Sequence, residues 1–583
     1  MKPMLVNRRG RALASLTTVM GLALGAAAIG NAPAQSAAPT PDCTPYSGAL
    51  TKGDAVTAMS VTSGTTPQEF DGQVLGVLQD GIAPDLDMIM VEITPPDPDK
   101  IGGIWQGMSG SPVYASNGEV IGAVAYGLSW GPSWIAGVTP FADMDDYMTA
   151  AAAPATVKVS DSAARTIARS SDVTQAQASE GFSQLPMPTG VSGVTNRRLN
   201  QAENHSTKHK WVPKSTYRMG AAAAAGDVNA AGPETLVPGG NLAASLSYGD
   251  ITQGGVGTVT AVCNNKVVGF GHPMTFLGET TLTMHPADAL FIQPESLGAP
   301  FKVANLGAPA GTISDDHLTG ITGFLGAAPD TTAVTSSVAY RDRSRTGSSQ
   351  VSVPEGAAST VFYESVGNHD RVVDGVVSGS ELLSWTITGT DTDGTPFDLA
   401  VTDRYASDYD ITYESAWDLA DFVWSLSSIP GVTIDDITMD SAVNDDNSVW
   451  EVVKLEQKVG GAWVKAGKGS PVIARAGKSV PLRAVLESAT GTRTVPLAVT
   501  VPANASGSEG RIEVTGGSYI WSEDAYPRSV EQAEDYVANL VRNDEVQAQL
   551  NLYSKRKQVQ RSSTTDPLDK VVTGYKHVNV IVK

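Results

Sequence analysis

The sequence has little sulfur, few aromatic rings and a shortage of positive charge. Only two cysteines, Cys43 and Cys263, occur in 583 residues, so at most one intramolecular disulfide can form. Acidic residues outnumber basic ones 61 to 40, giving a formal charge of −21. No block of Lys or Arg can track a phosphate backbone, which argues against nucleic acid as a partner. An acidic surface mainly keeps a chain soluble. Past the N-terminus no apolar run reaches the length of a membrane span. The motifs His-Glu-x-x-His and Cys-x-x-Cys are missing, as is a Gly-rich loop followed by Lys-Ser/Thr. No metal or other cofactor is therefore expected. Aromatics make up 6%, whereas Gly and Pro number 59 and 34, a balance that favours many turns and short strands.

The N-terminus reads as a targeting segment. Lys2, Arg8, Arg9 and Arg11 form a basic start, residues 13–29 are apolar, and Ala32-Pro33-Ala34 is an A-x-A cleavage site. Residues 1–34 are thus expected to be a signal peptide, and the mature protein to be secreted or on the cell surface with no membrane span. An uncleaved anchor is the competing reading; the small residues and the cleavage site favour removal. Arg8-Arg9 also fits a twin-arginine signal. In an oxidising compartment Cys43 and Cys263 can pair; two separate thiols are the alternative.

The chain is too long for one core. Residues 35–49 read as a flexible leader. Residues 50–150 show short apolar runs between turn signals, including Asn117-Gly118, a hairpin signal because both residues accept positive φ. Residues 151–235 turn rich in Ala, Ser, Thr and Gln and read as a linker with helices. A second β segment spans 236–335. Residues 336–515 alternate Val/Ile/Thr-rich runs with Gly, Asp and Asn turns, as in β-sandwich modules. Residues 415–426 and 529–552 carry helical patterns, and 578–582 a terminal strand. Residues 516–583 are read as a helix and strand tail.

The sharpest motif is Gly107-Met108-Ser109-Gly110-Ser111-Pro112. A nucleophilic serine needs a tight loop whose N–H groups face a developing oxyanion, and small residues permit that approach. Position 111 is Ser, so this is not the Gly-x-Ser-x-Gly elbow of α/β-hydrolases. Taken alone, the motif also reads as a plain Gly/Ser turn.

The flanks carry a resemblance. Gly102-Gly103-Ile104-Trp105-Gln106 leads into the motif and Gly122-Ala123-Val124 leads out. The stretch resembles the SpoIVB serine peptidase family, whose serine lies in a GGI-x-QGMSGSP run. A second block, Gly257-Thr258-Val259-Thr260 then Gly269-Phe270-Gly271-His272-Pro273, is similar to the family's strand and G-x-x-GH turn. The resemblance covers residues 45–150 and 236–330, and no PDZ-like module of the family is identifiable. It implies a chymotrypsin-like double β-barrel peptidase domain, in a mostly β chain with β-sandwich-like modules behind it. It assigns Ser109 as nucleophile, His272 as general base, and the Gly107 and Ser109 N–H groups as the oxyanion hole. A neutral imidazole suits the base role near pH 7; His285 and His317 are rivals in the same block. For the acid, Asp97 preserves an Asp-Pro pair, but strict alignment puts Pro95 in the acid's place and Asp97 reads more readily as a turn residue; Asp315 and Asp316 are alternatives, and a Ser–His dyad is another. The serine half precedes the histidine half, the reverse of the sporulation peptidase. The implied function is a secreted serine endopeptidase acting on proteins or peptides and able to process itself. The alternative is an inactive secreted β-scaffold that binds a protein or cell-wall partner. Nothing in the sequence sets an oligomeric state.

Overall fold

The computed structural model describes residues 43–94, 101–129, 131, 133–145, 156–171, 173–185, 189–294, 300–467, 469–520, 525–553 and 558–583. The expected signal peptide, the start of the leader and Asp97 lie outside the described residues.

Strands β1 (Ala55–Ser60), β2 (Gln68–Ala83), β3 (Leu86–Thr94), β4 (Pro112–Ala115), β5 (Val120–Leu128) and β6 (Ile135–Pro140) form the first unit. Each pairs with two neighbours in the cycle β1-β2-β3-β6-β5-β4, and β4 returns to β1 through Ala58↔Val113 and Val56↔Ala115. The sheet therefore closes into a six-stranded barrel. Its interior holds Val56, Phe70, Val74, Ile89, Val91, Ile93, Val113, Val124 and Val138. Strand β3 is buried on both faces. Leu86, Met88 and Met90 turn outward and pack with Ala164 and Ile167 of the helix Asp161–Ser170. Gly118 takes φ +86° in the turn between β4 and β5, where the Asn-Gly pair predicts a hairpin.

Residues between the barrels contribute β7 (Thr156–Val157), β8 (Phe182–Gln184), β9 (Gly190–Val191) and β10 (Tyr217–Arg218). The first two extend the first barrel's sheet and the last two extend the second's. The segment is thus built into both sheets rather than strung between them.

Strands β11 (Asn241–Gly249), β12 (Gln253–Cys263), β13 (Lys266–Gly269), β14 (Gly278–Gln293), β15 (Phe301–Leu306), β16 (Gly311–His317) and β17 (Gly320–Leu325) follow. All but β15 pair in the cycle β11-β12-β13-β17-β16-β14, which closes a second six-stranded barrel. Leu242, Val259, Val267, Leu282, Met284, Ile313 and Ile321 fill it. Asn264 and Asn265, at φ +49° and +70°, make the tight turn between β12 and β13. The two barrels meet along several seams. Cys43 and Cys263 form a disulfide with Cα atoms 6.0 Å apart, tying the start of the first barrel to the end of β12. Bridges Gly64↔Ala289 and Gln106↔Phe301 add backbone contacts.

The rest of the chain is β-rich, with helices on one face. Strands β18 (Thr332–Tyr340) to β22 (Thr433–Asn444) continue the second barrel's sheet, and the helices Ala357–Val373 and Ala416–Ser427 pack on it. The first helix is absent from the sequence expectation of sandwich modules across 336–515. It is buried nearly all round, so no polar face marks its period. Residues 450–582 form two five-stranded sheets around one core. This sandwich crosses the expected 515/516 boundary. The 529–552 helical pattern is helix only over Val530–Asn539, with a strand at Val546–Tyr553. Among the described residues no helix is long and apolar enough to cross a membrane.

Candidate active site

The serine loop sits where the first barrel meets the second. On its own side, the Gly110 N–H donates to the Val124 carbonyl at 2.8 Å and the Val124 N–H donates to the Ser111 carbonyl at 2.9 Å. The facing strand β12 grips the loop's other carbonyls. The Thr258 N–H reaches the Ser109 carbonyl at 2.8 Å, its hydroxyl reaches the Gly107 carbonyl at 3.0 Å, and the Thr260 hydroxyl reaches the Gly110 carbonyl at 2.7 Å. These threonines come from the Gly-Thr-Val-Thr block, so that motif braces the serine loop. The fit depends on glycine at 110. Its φ is +96°, and a Cβ there would lie 2.0 Å from the Thr258 carbonyl oxygen.

The histidine turn leaves β13 with Phe270 and Gly271 both left-handed, at φ +68° and +69°. A fully buried phenylalanine in that region is locally strained and needs its surroundings to hold it. The Thr139 hydroxyl of β6 donates to the Gly271 carbonyl at 2.6 Å, tying this turn back to the first barrel. The result is a Ser109 Oγ to His272 Nε2 distance of 2.8 Å across the barrel junction. His272 Nδ1 lies 2.7 Å from the Pro273 carbonyl oxygen. That carbonyl can only accept, so Nδ1 carries the proton and the bare Nε2 accepts the serine hydroxyl. This is the tautomer a general base needs. Burial pulls the imidazole down to about 4, against the opposing pull of the Pro273 hydrogen bond and the Asp316 charge, so it is neutral at pH 7. Neither the Gly107 N–H nor the Ser109 N–H meets an acceptor among the described residues. Two such groups beside a serine are free to hold an oxyanion.

No described carboxylate touches His272. Asp316 is fully buried but accepts from the Met274 and Thr275 N–H groups at 2.7 and 2.8 Å, bracing the chain just past the histidine. Asp315 pairs with the Ser314 hydroxyl and stands 3.4 Å from His317. The structure brings Ser109, His272 and Gly107 together, and does not bring Asp315 or His317 to them.

His285 makes an instructive comparison. Its Nε2 lies 2.9 Å from Ser245 Oγ and its Nδ1 lies 2.9 Å from the Gly307 carbonyl oxygen, so it too forms a buried Ser–His pair. Ser245 lies within strand β11, paired with Gly254 of β12 and Thr283 of β14, just before a register shift between Ser245 and Ser247. It sits on a strand, not on a glycine-flanked loop such as the one that carries Ser109. A serine–histidine hydrogen bond alone therefore does not define a reactive site; the loop around Ser109 does.

Three contributors escape the sequence reading. Lys302 is fully buried beside the serine loop. Its N–H donates to the Gln106 carbonyl at 2.9 Å, its Nζ donates to Asn241 Oδ1 at 2.8 Å, and burial lowers its ammonium to about 7. Gln184, at the end of β8, brings its side-chain amide to 3.2 Å from His272 Nδ1, where the amide oxygen is the atom that can accept from the protonated Nδ1. Thr139 is the third. A lone Lys, Gln or Thr in a strand carries no spacing signal. Ser109 and His272 are themselves 0% exposed, so this arrangement is covered.

No family model, curated protein or solved structure matches the chain. The fold is a double β-barrel with a β-rich C-terminal region, compatible with a chymotrypsin-like architecture.

Proposed function

We propose that the double barrel is a serine endopeptidase of the SpoIVB type, exported from the cell. The observation that carries this reading is the 2.8 Å Ser109–His272 hydrogen bond at the barrel junction, next to two unclaimed N–H groups. Ser109 Oγ attacks a peptide carbonyl as His272 Nε2 takes its proton. The carbonyl oxygen becomes an oxyanion held by the Gly107 and Ser109 N–H groups. The C–N bond breaks, His272 returns the proton to the leaving nitrogen, and an acyl-serine remains. Water then attacks the ester by the same route. The Pro273 carbonyl orients the imidazole in the place a carboxylate takes in a triad. The Cys43–Cys263 disulfide supports export, since such bonds persist in oxidising compartments.

The complete burial of Ser109 and His272 favours a second reading, an inactive exported scaffold that binds a protein or cell-wall partner. A fluorophosphonate probe with mass-spectrometric mapping separates the two. A peptidase is labelled at Ser109 and hydrolyses a denatured protein, and both activities vanish in Ser109→Ala and His272→Ala. A scaffold is neither labelled nor active, even when the strand Phe182–Gln184 beside His272 is loosened by substitution.

A further inference from the structure

One edge of β5 is shared by three pieces of chain in succession. Strand β4 pairs with it over Val120–Ala123, and the serine loop bonds to Val124. Beyond that, Phe182–Gln184 pairs antiparallel with Tyr126–Leu128, and the Leu185 N–H donates to the Ala125 carbonyl at 3.0 Å. Strands β4 and β8 run in the same direction along this edge. The C-terminal end of the 182–185 segment therefore arrives at the serine loop, next to Gly110 and Ser111. Its last two residues face the site. Gln184 stands against the His272 ring, and Leu185, only 3% exposed, joins the buried cluster of Ile104, Trp105 and Met108, the residues leading into Ser109. A Cβ on Gly127 would come 3.2 Å from Leu185 Cδ2, so β5 forms one wall of the leucine's pocket.

An extended peptide bound by adding a strand to a sheet edge gains main-chain hydrogen bonds for affinity and side-chain pockets for selectivity. The 182–185 segment has both, and its C-terminal end leads to a nucleophile. We propose that Ala125–Leu128 is the substrate-binding edge, that the pocket filled by Leu185 selects the residue on the acyl side of the bond cut, and that Phe182–Leu185 is an internal occupant of that site. The substrate class is then an extended peptide carrying leucine or another large aliphatic residue at the position of Leu185. An incoming peptide competes with the chain's own strand for this edge. This inference rests on the peptidase reading.

The test uses the full-length protein, a fluorophosphonate probe and two peptidyl boronic acids, one ending in a leucine analogue and one in an arginine analogue. The leucine boronate is expected to block labelling of Ser109 at a concentration about tenfold or more below that of the arginine boronate, as burial of an aliphatic side chain dictates. Leu185→Asp puts a charge in the apolar pocket, and is expected to speed labelling of Ser109 by about tenfold or more by releasing the strand. Leu185→Ala gives a smaller acceleration with a lowered but still cooperative melting curve, and carries the test if the aspartate variant does not fold. Peptides released from a denatured protein should end in large aliphatic residues. Labelling of Ser109 at equal rates in all three proteins, with no preference between the boronates, overturns the proposal and leaves the peptidase reading standing. No labelling in any of them removes the peptidase reading and this inference with it.

Discussion

The Thr258 N–H donates to the Ser109 carbonyl at 2.8 Å, so the second barrel holds the first barrel's serine by its own backbone. The hydroxyls of Thr258 and Thr260 hold the carbonyls on either side. The Thr258 carbonyl in turn accepts the Phe270 N–H at 3.3 Å, so one residue ties the serine loop to the histidine turn, and loss of barrel docking would disturb both. Preorganisation of this kind keeps donors aimed at the reacting carbonyl without reorganisation during the reaction.

Gly110→Ala tests that grip. The new Cβ would overlap the Thr258 carbonyl oxygen and force an alanine to φ +96°. A destabilisation of about 3 kcal/mol or more is expected, because backbone strain and overpacking add. Gly118→Ala is the control: φ there is +86°, but no atom lies within 4 Å of the added Cβ. It should cost about 1 kcal/mol, from the left-handed backbone alone. Equal denaturation midpoints for the two variants would contradict the clamp.

How much of this was legible beforehand depends on how local each signal is. The Gly107–Pro112 loop and the Gly269-Phe270-Gly271-His272 turn are local patterns at fixed spacing, and their resemblance to one family singles them out. The serine and histidine that meet are 163 positions apart, and the resemblance of their flanking residues to one family assigns both. The barrel strands were visible as short apolar runs between turns. What stayed hidden is held by tertiary packing. Leu185 looks like any linker leucine until β5 offers it an edge. The helix Ala357–Val373 has too few exposed positions to show a period. Residues 516–583 read as a tail in sequence because their strands find partners across a sandwich as well as in the next hairpin.

Acid should destabilise the fold through its buried histidines. His272 and His285 are each lowered by burial to about 4 from 6.5. Between those pH values the unfolded chain binds more protons, so stability is complete above about pH 6.5 and falls as pH drops toward about 4. Each imidazole accounts for on the order of 3 kcal/mol of that fall. Glu364 and Asp403, raised to about 7 by burial, bind protons more tightly in the folded state and act in the opposite direction over part of this range. The measurement is therefore a difference. Denaturation midpoints at pH 7, 6 and 5 should fall less steeply for His285→Gln than for the natural protein. Parallel slopes would place His285 outside the acid response.

The disulfide should matter to stability more than to chemistry. Cys43 and Cys263 are 220 residues apart, and a closed loop of that size strongly restricts the unfolded chain. Replacing both with serine is expected to cost about 2–5 kcal/mol. Mild reductant should lower the melting temperature of the natural protein and leave the double variant unchanged. A melting curve insensitive to reductant would show that the bond contributes nothing to the fold.

Ser109→Ala separates the site's chemistry from its architecture. The serine side chain is buried, and its hydroxyl satisfies the His272 Nε2. Its removal leaves one buried acceptor without a partner, so a loss of about 1–3 kcal/mol in stability is expected while the fold persists. Hydrolysis should fall on the order of a million-fold, with the remainder due to oxyanion binding and substrate positioning. His272→Ala should be nearly as damaging, and the double variant little worse than either, because a nucleophile without its base and a base without its nucleophile fail at the same step. Ser245→Ala is the matched control, since it removes the hydroxyl from the other buried Ser–His pair. It should cost a similar amount of stability and leave hydrolysis within a few-fold of the natural rate. Loss of activity in Ser245→Ala with retention in Ser109→Ala would transfer the nucleophile to the second barrel and overturn the assignment.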